Sequence, residues 1–193
     1  MRVLVLYAHP VETSFHAALH ARVVAALNAA GHEVDDCDLY AEGFNPVLSR
    51  EERLNYHNTA VNRAPVQTYV DRLLAAEALV LCFPVWCFGL PAILKGWFDR
   101  VLMPGVAFDI SDPANVKPAL THLKKIAAFT TYGRPRWMAF FMGDPPRKVI
   151  TRYLRALTGG TRVGYHAYYH MNVATPESLR RHLDRIDALM RRF

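Results

Sequence analysis

Apolar and polar residues alternate along the chain in blocks that predict strands and helices in turn. Most of the predicted strands are short and almost entirely apolar, whereas the segments between them carry apolar residues at helical spacing. The predicted strands are Arg2 to Tyr7, Glu33 to Leu39, Ala78 to Phe83, Lys125 to Thr131 and Val163 to Tyr169. The predicted helices are Ser14 to Ala30, Ser49 to Asn55, Pro65 to Ala76, Pro91 to Leu102, Arg147 to Leu157 and one from Pro176 to the end. Residues 132 to 145 are rich in Gly, Pro and aromatics and predict an ordered loop.

This order of elements predicts an α/β fold. Strands that are apolar throughout are buried on both faces of a sheet, and helices between consecutive strands imply parallel crossovers. Five strands in 193 residues favour a doubly wound parallel sheet with the flavodoxin-like order 2-1-3-4-5. The length suits a single domain that covers residues 1 to 193.

Composition narrows the cellular setting. The chain is 52% hydrophobic and 21% charged, so it is not expected to be disordered, and no apolar run is long enough to span a membrane. The apolar start, Met1 to Tyr7, stops at His9-Pro10 without a small-residue cleavage site, so it indicates a first strand rather than a signal peptide. Three cysteines, an odd number without zinc-type pairing, indicate a reduced protein of the cytoplasm.

The net charge of +6 is concentrated near the C-terminus. Five arginines there share a predicted amphipathic helix: Arg180, Arg181, Arg185, Arg191 and Arg192. They are typical of a solvated helix face, and they also fit attraction of an anionic cofactor or of a membrane-side partner. No nucleic-acid-binding motif accompanies the charge, so nucleic acid is not a predicted partner.

The loop after the first strand is a candidate phosphate site, although it lacks the dinucleotide and P-loop fingerprints. Its candidate residues are His9, Thr13, Ser14, Phe15 and His16. A helix begins here, and helix N-termini offer free backbone N–H groups and a positive dipole end to an anion. The alternative is that the hydroxyls only form an ordinary helix cap.

The loop after the third strand is rich in aromatics. It comprises Pro84, Val85, Trp86, Cys87 and Phe88, followed by Gly89 and a helix that Pro91 opens. Ligands of open α/β sheets bind at the carboxyl ends of the strands. These aromatics either extend the hydrophobic core or lie against a flat ring cofactor.

The loop after the fourth strand offers hydroxyls and a glycine. Thr130, Thr131, Tyr132 and Gly133 can present hydroxyl and backbone N–H donors to the polar edge of a flavin, where negative charge develops on reduction. The alternative is a plain turn. His166 and His170 share a face of the last strand, but no cysteine or carboxylate motif joins them, so no metal site is predicted.

Together these loops resemble the flavodoxin-like NAD(P)H:quinone oxidoreductases, including the modulator-of-drug-activity type and the ancillary oxidoreductases of potassium-efflux systems. The matching segments are His9 with Thr13-Ser14-Phe15, Asp38-Leu39-Tyr40 with Phe44-Asn45-Pro46, Phe83 to Val101, and Thr130-Thr131 with Gly133. The run Gly89 to Val101 is the longest and most specific of these.

The resemblance implies a flavin that is reduced by NAD(P)H and then passes electrons to a quinone by a ping-pong mechanism. It places His9, Thr13, Ser14, Phe15 and His16 at the phosphate, Pro84 to Phe88 along the ring, and Thr130 to Gly133 at its polar edge. It also implies a homodimer, in which Phe108 and Ile110 contact the substrate in the partner's site. The apolar stretch Val106 to Ile110 is expected to be exposed and to form that interface.

The chain departs from the larger quinone reductases, which carry a Tyr and a His after the Thr-Thr motif. Met142 falls about where the His would be, and Arg134 or Arg136 is expected to balance the charge of the reduced flavin instead. Both FMN and FAD fit the pattern, with FMN favoured on size. Two other functions stay open: an electron carrier, against which the pI near 9.4 argues, and a regulatory subunit of a membrane potassium-efflux transporter.

Overall fold

The computed structural model describes residues 1–112 and 114–193. Its strands are β1 (Arg2–Tyr7), β2 (Glu33–Asp38), β3 (Ala78–Val85), β4 (Phe108–Asp109), β5 (Lys117–Pro118), β6 (Lys125–Tyr132) and β7 (Val163–Tyr168). Five of them form one parallel sheet in the order β2-β1-β3-β6-β7, and β4 pairs with β5 in a small antiparallel hairpin. The predicted order 2-1-3-4-5 is therefore confirmed.

The helices are α1 (Phe15–Ala29), α2 (Arg50–Asn55), α3 (Gln67–Ala75), α4 (Ala92–Val101), α5 (Arg136–Phe141), α6 (Pro145–Lys148), α7 (Arg155–Leu157) and α8 (Pro176–Met190). Short 3-10 turns cover Ala64–Val66 and Met171–Val173, and a π-helical stretch, Val149–Leu154, joins α6 to α7. Within the described residues no helix is long and apolar enough to cross a membrane.

Alternate residues of each central strand pack into two different cores. On one face, Leu4 and Leu6 pack with the helices α3 and α4, while on the other Val3 and Val5 pack with α1 and α8. A strand that feeds both cores has no solvated face, which is why β1 from Val3 to Tyr7 and all of β3 are apolar at every position.

Strands β3 and β6 are longer than the sequence predicts, by two residues and by one residue respectively. The prediction ended β3 at Phe83, but Pro84 and Val85 continue the strand opposite Thr131 and Tyr132 of β6. Ala8 N–H donates to Cys82 O at 3.0 Å, and no further pair of the β1–β3 ladder follows. Residues two apart on a strand present their backbone to the same side, so the missing N–H of Pro84 faces the side where β1 has already ended.

Two loop predictions are corrected. Residues 132 to 145 contain the helix α5, so they are not a plain loop. The stretch expected to be exposed, Val106 to Ile110, is largely internal, because Val106 and Ala107 are buried in the chain's own core and Phe108 packs against it. Its exposure therefore cannot be used as an argument for a dimer.

The specific run after β3 is largely structural. A Cβ on Gly96 of α4 would lie 2.2 Å from the carbonyl oxygen of Pro46. Only glycine at this position therefore lets the segment around Pro46 pass over α4. Arg100 binds both the carboxylate of Glu52, at 2.7 Å, and the carbonyl of Asn45. Both contacts fix the segment after β2 on the helix that follows the aromatic loop.

Candidate functional site

The carboxyl ends of β1, β3 and β6 meet at one edge of the sheet and enclose a cleft of about 290 Å³. We call it the central cleft. It is lined by residues of all three predicted loops, including Ser14, His16, Val85, Trp86, Thr131 and Gly133. The structure thus brings together side chains that lie more than a hundred residues apart in the chain, at the edge where open α/β sheets bind ligands.

Ser14 caps helix α1 at one wall of the cleft. Its Oγ accepts a hydrogen bond from Ala17 N at 3.1 Å and lies 3.1 Å from Nδ1 of His9. The backbone N–H groups of Phe15 and His16 have no partner among the described residues. This helix end therefore keeps free donors and a positive dipole end toward the cleft.

The tautomer of His9 follows from its contacts. Val11 N–H donates to Nδ1 at 3.1 Å, so Nδ1 is the acceptor and a neutral His9 carries its proton on Nε2. Burial lowers the pKa of His9, which favours that neutral form. Its ring lies 5.8 Å from the ring of Trp86, so His9 supplies one N–H donor between the start of α1 and the aromatic side of the cleft.

His16 is the most unusual side chain of the cleft. It is only 3% exposed, and neither ring nitrogen has a hydrogen-bond partner among the described residues. Burial lowers its pKa to about 3, so the ring is neutral at physiological pH. A buried polar group without a partner costs free energy, about 1–3 kcal/mol, unless something fills the site. The backbone of Phe83 is close enough to raise this pKa slightly, and His16 is a candidate to hydrogen-bond with a ligand in the cleft that it lines.

The aromatic loop is a tight two-residue turn. Trp86 and Gly89 exchange both backbone hydrogen bonds, at 2.8 and 3.3 Å, and Cys87 and Phe88 between them have φ of 49° and 56°. Left-handed backbone at bulky residues costs about 1–3 kcal/mol each, and such strain is concentrated at functional sites. The turn leaves the Trp86 side chain partly exposed where it lines the cleft. Cys87 and Phe88 line a neighbouring hollow of about 140 Å³.

The end of β6 contributes less than the sequence suggests. Thr131 and Gly133 line the central cleft, but Thr130 is fully buried and its Oγ1 has no partner among the described residues. Tyr132, expected at the polar edge of a flavin, is buried instead. Its hydroxyl donates to Asp144 Oδ1 at 2.5 Å and lies 2.6 Å from the hydroxyl of Tyr165, and the residue lines the small hollow beside the cleft rather than the cleft itself.

The two candidate arginines point to different places. Arg134 lines the small hollow together with Phe88, and this hollow shares Val85 and Gly133 with the central cleft. Arg136, at the start of α5, lines a separate cavity at the β7 edge. The geometry therefore favours Arg134 as the cation beside the central cleft.

Some predicted residues lie outside the cleft. Thr13 is exposed on the approach to α1, and Met142 is exposed at the end of α5. Phe108 and Ile110 are half-buried beside the β4 hairpin, and neither lines the cleft of its own chain. The predicted substrate contacts of Phe108 and Ile110 therefore require a partner chain.

The sequence reasoning missed Met171 and Asn172, which line the cleft from the 3-10 turn after β7. Asn172 Oδ1 would lie 3.0 Å from a Cβ placed on Gly133, so it closes the far side of the cleft. The signal was available, because the carboxyl ends of all strands in a parallel sheet meet at one edge and β7 ends there too.

A second hollow, on the other side of His9, has a different character. It measures about 480 Å³ and is lined by the carboxylates of Glu12 and Asp38. Its two carboxylates make this hollow less suited to an anion than the Ser14 side of the central cleft. Among the described residues no group of three or more His, Cys, Asp or Glu is placed to hold a metal ion.

Comparison with known proteins agrees with this architecture. The protein family described as having a flavodoxin-like fold matches residues 1–190, so the chain belongs to that family. Its sequence resembles the rat NAD(P)H dehydrogenase [quinone] 1, with 34% identity over 148 residues, 68% of this chain and 54% of the relative. An uncharacterized NAD(P)H oxidoreductase of Haemophilus influenzae is 37% identical over 134 residues, 69% of this chain and 65% of that protein.

The matched region thus spans about half to two thirds of the length of these curated relatives. Among solved structures, the NAD(P)H:quinone oxidoreductase from Methanothermobacter marburgensis superimposes with a TM-score of 0.84 and 26% identity. That match covers 99% of this chain and 98% of the other.

Proposed function

We propose that this protein is a flavin-dependent NAD(P)H oxidoreductase that transfers two electrons to a quinone or a similar small acceptor by a ping-pong mechanism. The observation that carries the proposal is the central cleft, where a helix N-terminus with free donors, a buried unpartnered His16 and the half-open Trp86 converge. The relatives named NAD(P)H dehydrogenase [quinone] and NAD(P)H:quinone oxidoreductase support the same assignment.

The residues present fit a flavin phosphate at one end of the cleft. The free amides of Phe15 and His16 and the Nε2–H of His9 are the donors that would hold it, while the Ser14 hydroxyl, which donates to Nδ1 of His9, would orient that ring. His16 adds one further N–H, since a neutral imidazole always carries one. FMN, which ends at this phosphate, is the proposed cofactor, with FAD as the alternative.

At the other end, Val85 and Trp86 would lie along the ring, and Thr131 and Gly133 at its polar edge. A bound flavin would supply the two-electron redox chemistry between NAD(P)H and the acceptor. Arg134, one residue beyond Gly133, places a permanent cation beside this end of the cleft, where negative charge would accumulate on reduction.

Phe108 and Ile110 do not line the cleft of their own chain, and we propose a homodimer that brings these residues of one protomer to the cleft of its partner. We also assign the protein to the cytoplasm, since its three cysteines are all free. Light scattering at micromolar concentration tests the dimer, and a mass near 21.9 kDa would contradict it.

The experiment that tests the function starts with a visible spectrum of the purified protein and chromatography of the flavin released from it. Steady-state NADH and NADPH oxidation with menadione then separates an enzyme from an electron carrier, which would bind flavin without turning over. A colourless protein that takes up neither FMN nor FAD on titration would refute the proposal.

A further inference from the structure

Helix α5 exposes an unusual apolar face. Trp137 is 64% exposed, Phe140 84%, Phe141 81% and Met142, at its end, 48%. Of the helix only Ala139 is buried. Four large apolar side chains on one short helix are more than the scattered exposed residues of an ordinary surface, and a contiguous face of this kind marks an interaction site.

The surroundings of this face are strongly basic. Residues 134 to 155 contain six cationic side chains and one acidic one: Arg134, Arg136, Arg147, Lys148, Arg152 and Arg155 against Asp144. None of the six forms an ion pair within the part of the chain that the structure describes. Asp144 faces the same region, but its carboxylate accepts from the hydroxyl of Tyr132. The net field around α5 is therefore positive.

A cavity of about 240 Å³ lies next to the same helix, at the edge of the sheet where β7 has no neighbouring strand. Its cationic lining comes from three elements, with Arg136 from α5, Arg147 from α6 and Arg185 from α8. Arg147 lies over the ring of Tyr165, 5.2 Å from its centroid. The cavity also contains His182, whose Nε2 is buried and has no partner among the described residues. We call it the arginine cavity.

These two observations share one residue, because Arg136 lies in α5 and also lines the arginine cavity. We propose that α5 and the arginine cavity dock on the surface of an anionic lipid bilayer. Trp137, Phe140 and Phe141 would enter the boundary between headgroups and acyl chains, while the arginines bind lipid phosphates at headgroup level. Exposed aromatics bordered by Lys and Arg are the composition that favours this interface.

Charge complementarity decides between a bilayer and a second copy of the chain. A symmetric contact through this face would bring together two copies of a segment, residues 134 to 155, that carries six cationic residues and one acidic residue. A bilayer that contains anionic lipid provides the opposite charge and an apolar layer at the same time. The docking proposal does not depend on a bound flavin.

Sedimentation with vesicles tests the proposal directly. The purified full-length protein is incubated with vesicles of phosphatidylcholine alone, or of an equal mixture of phosphatidylcholine and phosphatidylglycerol. We expect binding only to the mixture, and weaker binding as ionic strength rises to about 0.15 M. In a Trp137→Phe variant, the shift of tryptophan fluorescence on binding should decrease, because Trp137 is the side chain that enters the apolar layer.

Matched variants separate the two contributions. We expect Phe140→Ser with Phe141→Ser, and separately Arg136→Gln with Arg147→Gln, to lower the partition coefficient by at least about tenfold each. Leu54→Ser with Leu74→Ser is the control for exposed apolar residues, and Arg180→Gln with Arg181→Gln is the control for exposed arginines. Both controls should bind vesicles like the parent. The single variant Phe141→Ser repeats the vesicle measurement with a smaller loss of apolar surface than the double variant.

Three results would overturn the proposal. The first is no sedimentation with the anionic vesicles. The second is conversion of a dimer to a monomer by the Phe140 and Phe141 substitutions, since a second copy would then cover this face. The third is calorimetric binding of inorganic pyrophosphate that requires Arg136 and Arg147 in a protein that does not bind vesicles, which would assign the cavity to a soluble anion.

Discussion

The Oγ atom of Ser14 lies 3.1 Å from Nδ1 of His9 and also accepts the N–H of Ala17. One hydroxyl thus joins the end of β1 to the first turn of α1. Because His9 Nδ1 also accepts from Val11 N–H, the contact orients the ring so that Nε2–H remains its free donor. Capping of α1 and orientation of the His9 ring are therefore carried by the same side chain.

We predict that Ser14→Ala weakens FMN binding by about tenfold and lowers the free energy of unfolding by about 1 kcal/mol, because the variant loses both the contact that orients the proposed phosphate donor His9 and a helix cap. Fluorescence titration with FMN and urea unfolding measure the two effects. Thr175→Ala is the matched control, since Thr175 caps α8 in the same way but does not line the cleft. Equal loss of FMN affinity in both variants would show that only folding is affected.

We predict that Arg134→Ala slows reduction of the bound flavin by NAD(P)H by roughly ten- to a hundredfold, the effect of losing about 1.4–2.7 kcal/mol of transition-state stabilisation. In the Arg136→Ala variant the bound flavin should be reduced at close to the parent rate, because Arg136 lines the arginine cavity rather than the hollow beside the central cleft. Stopped-flow spectrophotometry of both variants measures the rates. If neither variant is slower, backbone N–H groups near Gly133 balance the charge.

We predict that the protein loses stability as the pH falls below about 6.5 and that His16 contributes to this loss. The folded-state pKa of His16 is lowered to about 3, so between these values the unfolded chain takes up a proton that the folded chain does not. By about pH 5 the cost from His16 reaches about 2 kcal/mol. Urea unfolding near neutral pH and near pH 5, without added flavin, measures it.

His16→Asn should reduce this pH dependence by the same amount, whereas His57→Asn, at an exposed position, should leave it unchanged. The comparison of variants is necessary because His182, whose pKa burial lowers to about 4, acts in the same direction. If the free energy of unfolding of His16→Asn falls between neutral pH and pH 5 by as much as that of the parent, the assignment to His16 is wrong.

We predict that Gly96→Ala lowers the free energy of unfolding by about 3 kcal/mol, because a Cβ 2.2 Å from the Pro46 carbonyl forces the backbone apart. Gly89→Ala is the control, since its Cβ would meet only the carbonyl of Trp86, at 3.6 Å. Urea unfolding of both variants decides. Equal stability of the two would mean that the segment around Pro46 can move away from α4.

The sequence by itself determined the five strands of the parallel sheet, their order and the helices between them apart from α5, and it did not predict the β4–β5 hairpin. It also determined the cap at Ser14, since that signal consists of a hydroxyl just before a helical pattern. These features depend on periodicity and on local backbone chemistry, and both can be read within a short window of residues. The same reasoning identified the three loops that meet at the central cleft.

Only the tertiary structure decided which members of those loops face the cleft. Pro84 continues β3 because β1 has ended beside it, and Tyr132 is buried because Asp144 and Tyr165 lie within reach of its hydroxyl. Arg134 and Arg136 line different cavities, because Arg134 precedes α5 whereas Arg136 is the first residue of that helix and lies at the cavity beside β7. Each outcome depends on register with a neighbouring element that is distant in sequence, and a local pattern does not encode that register.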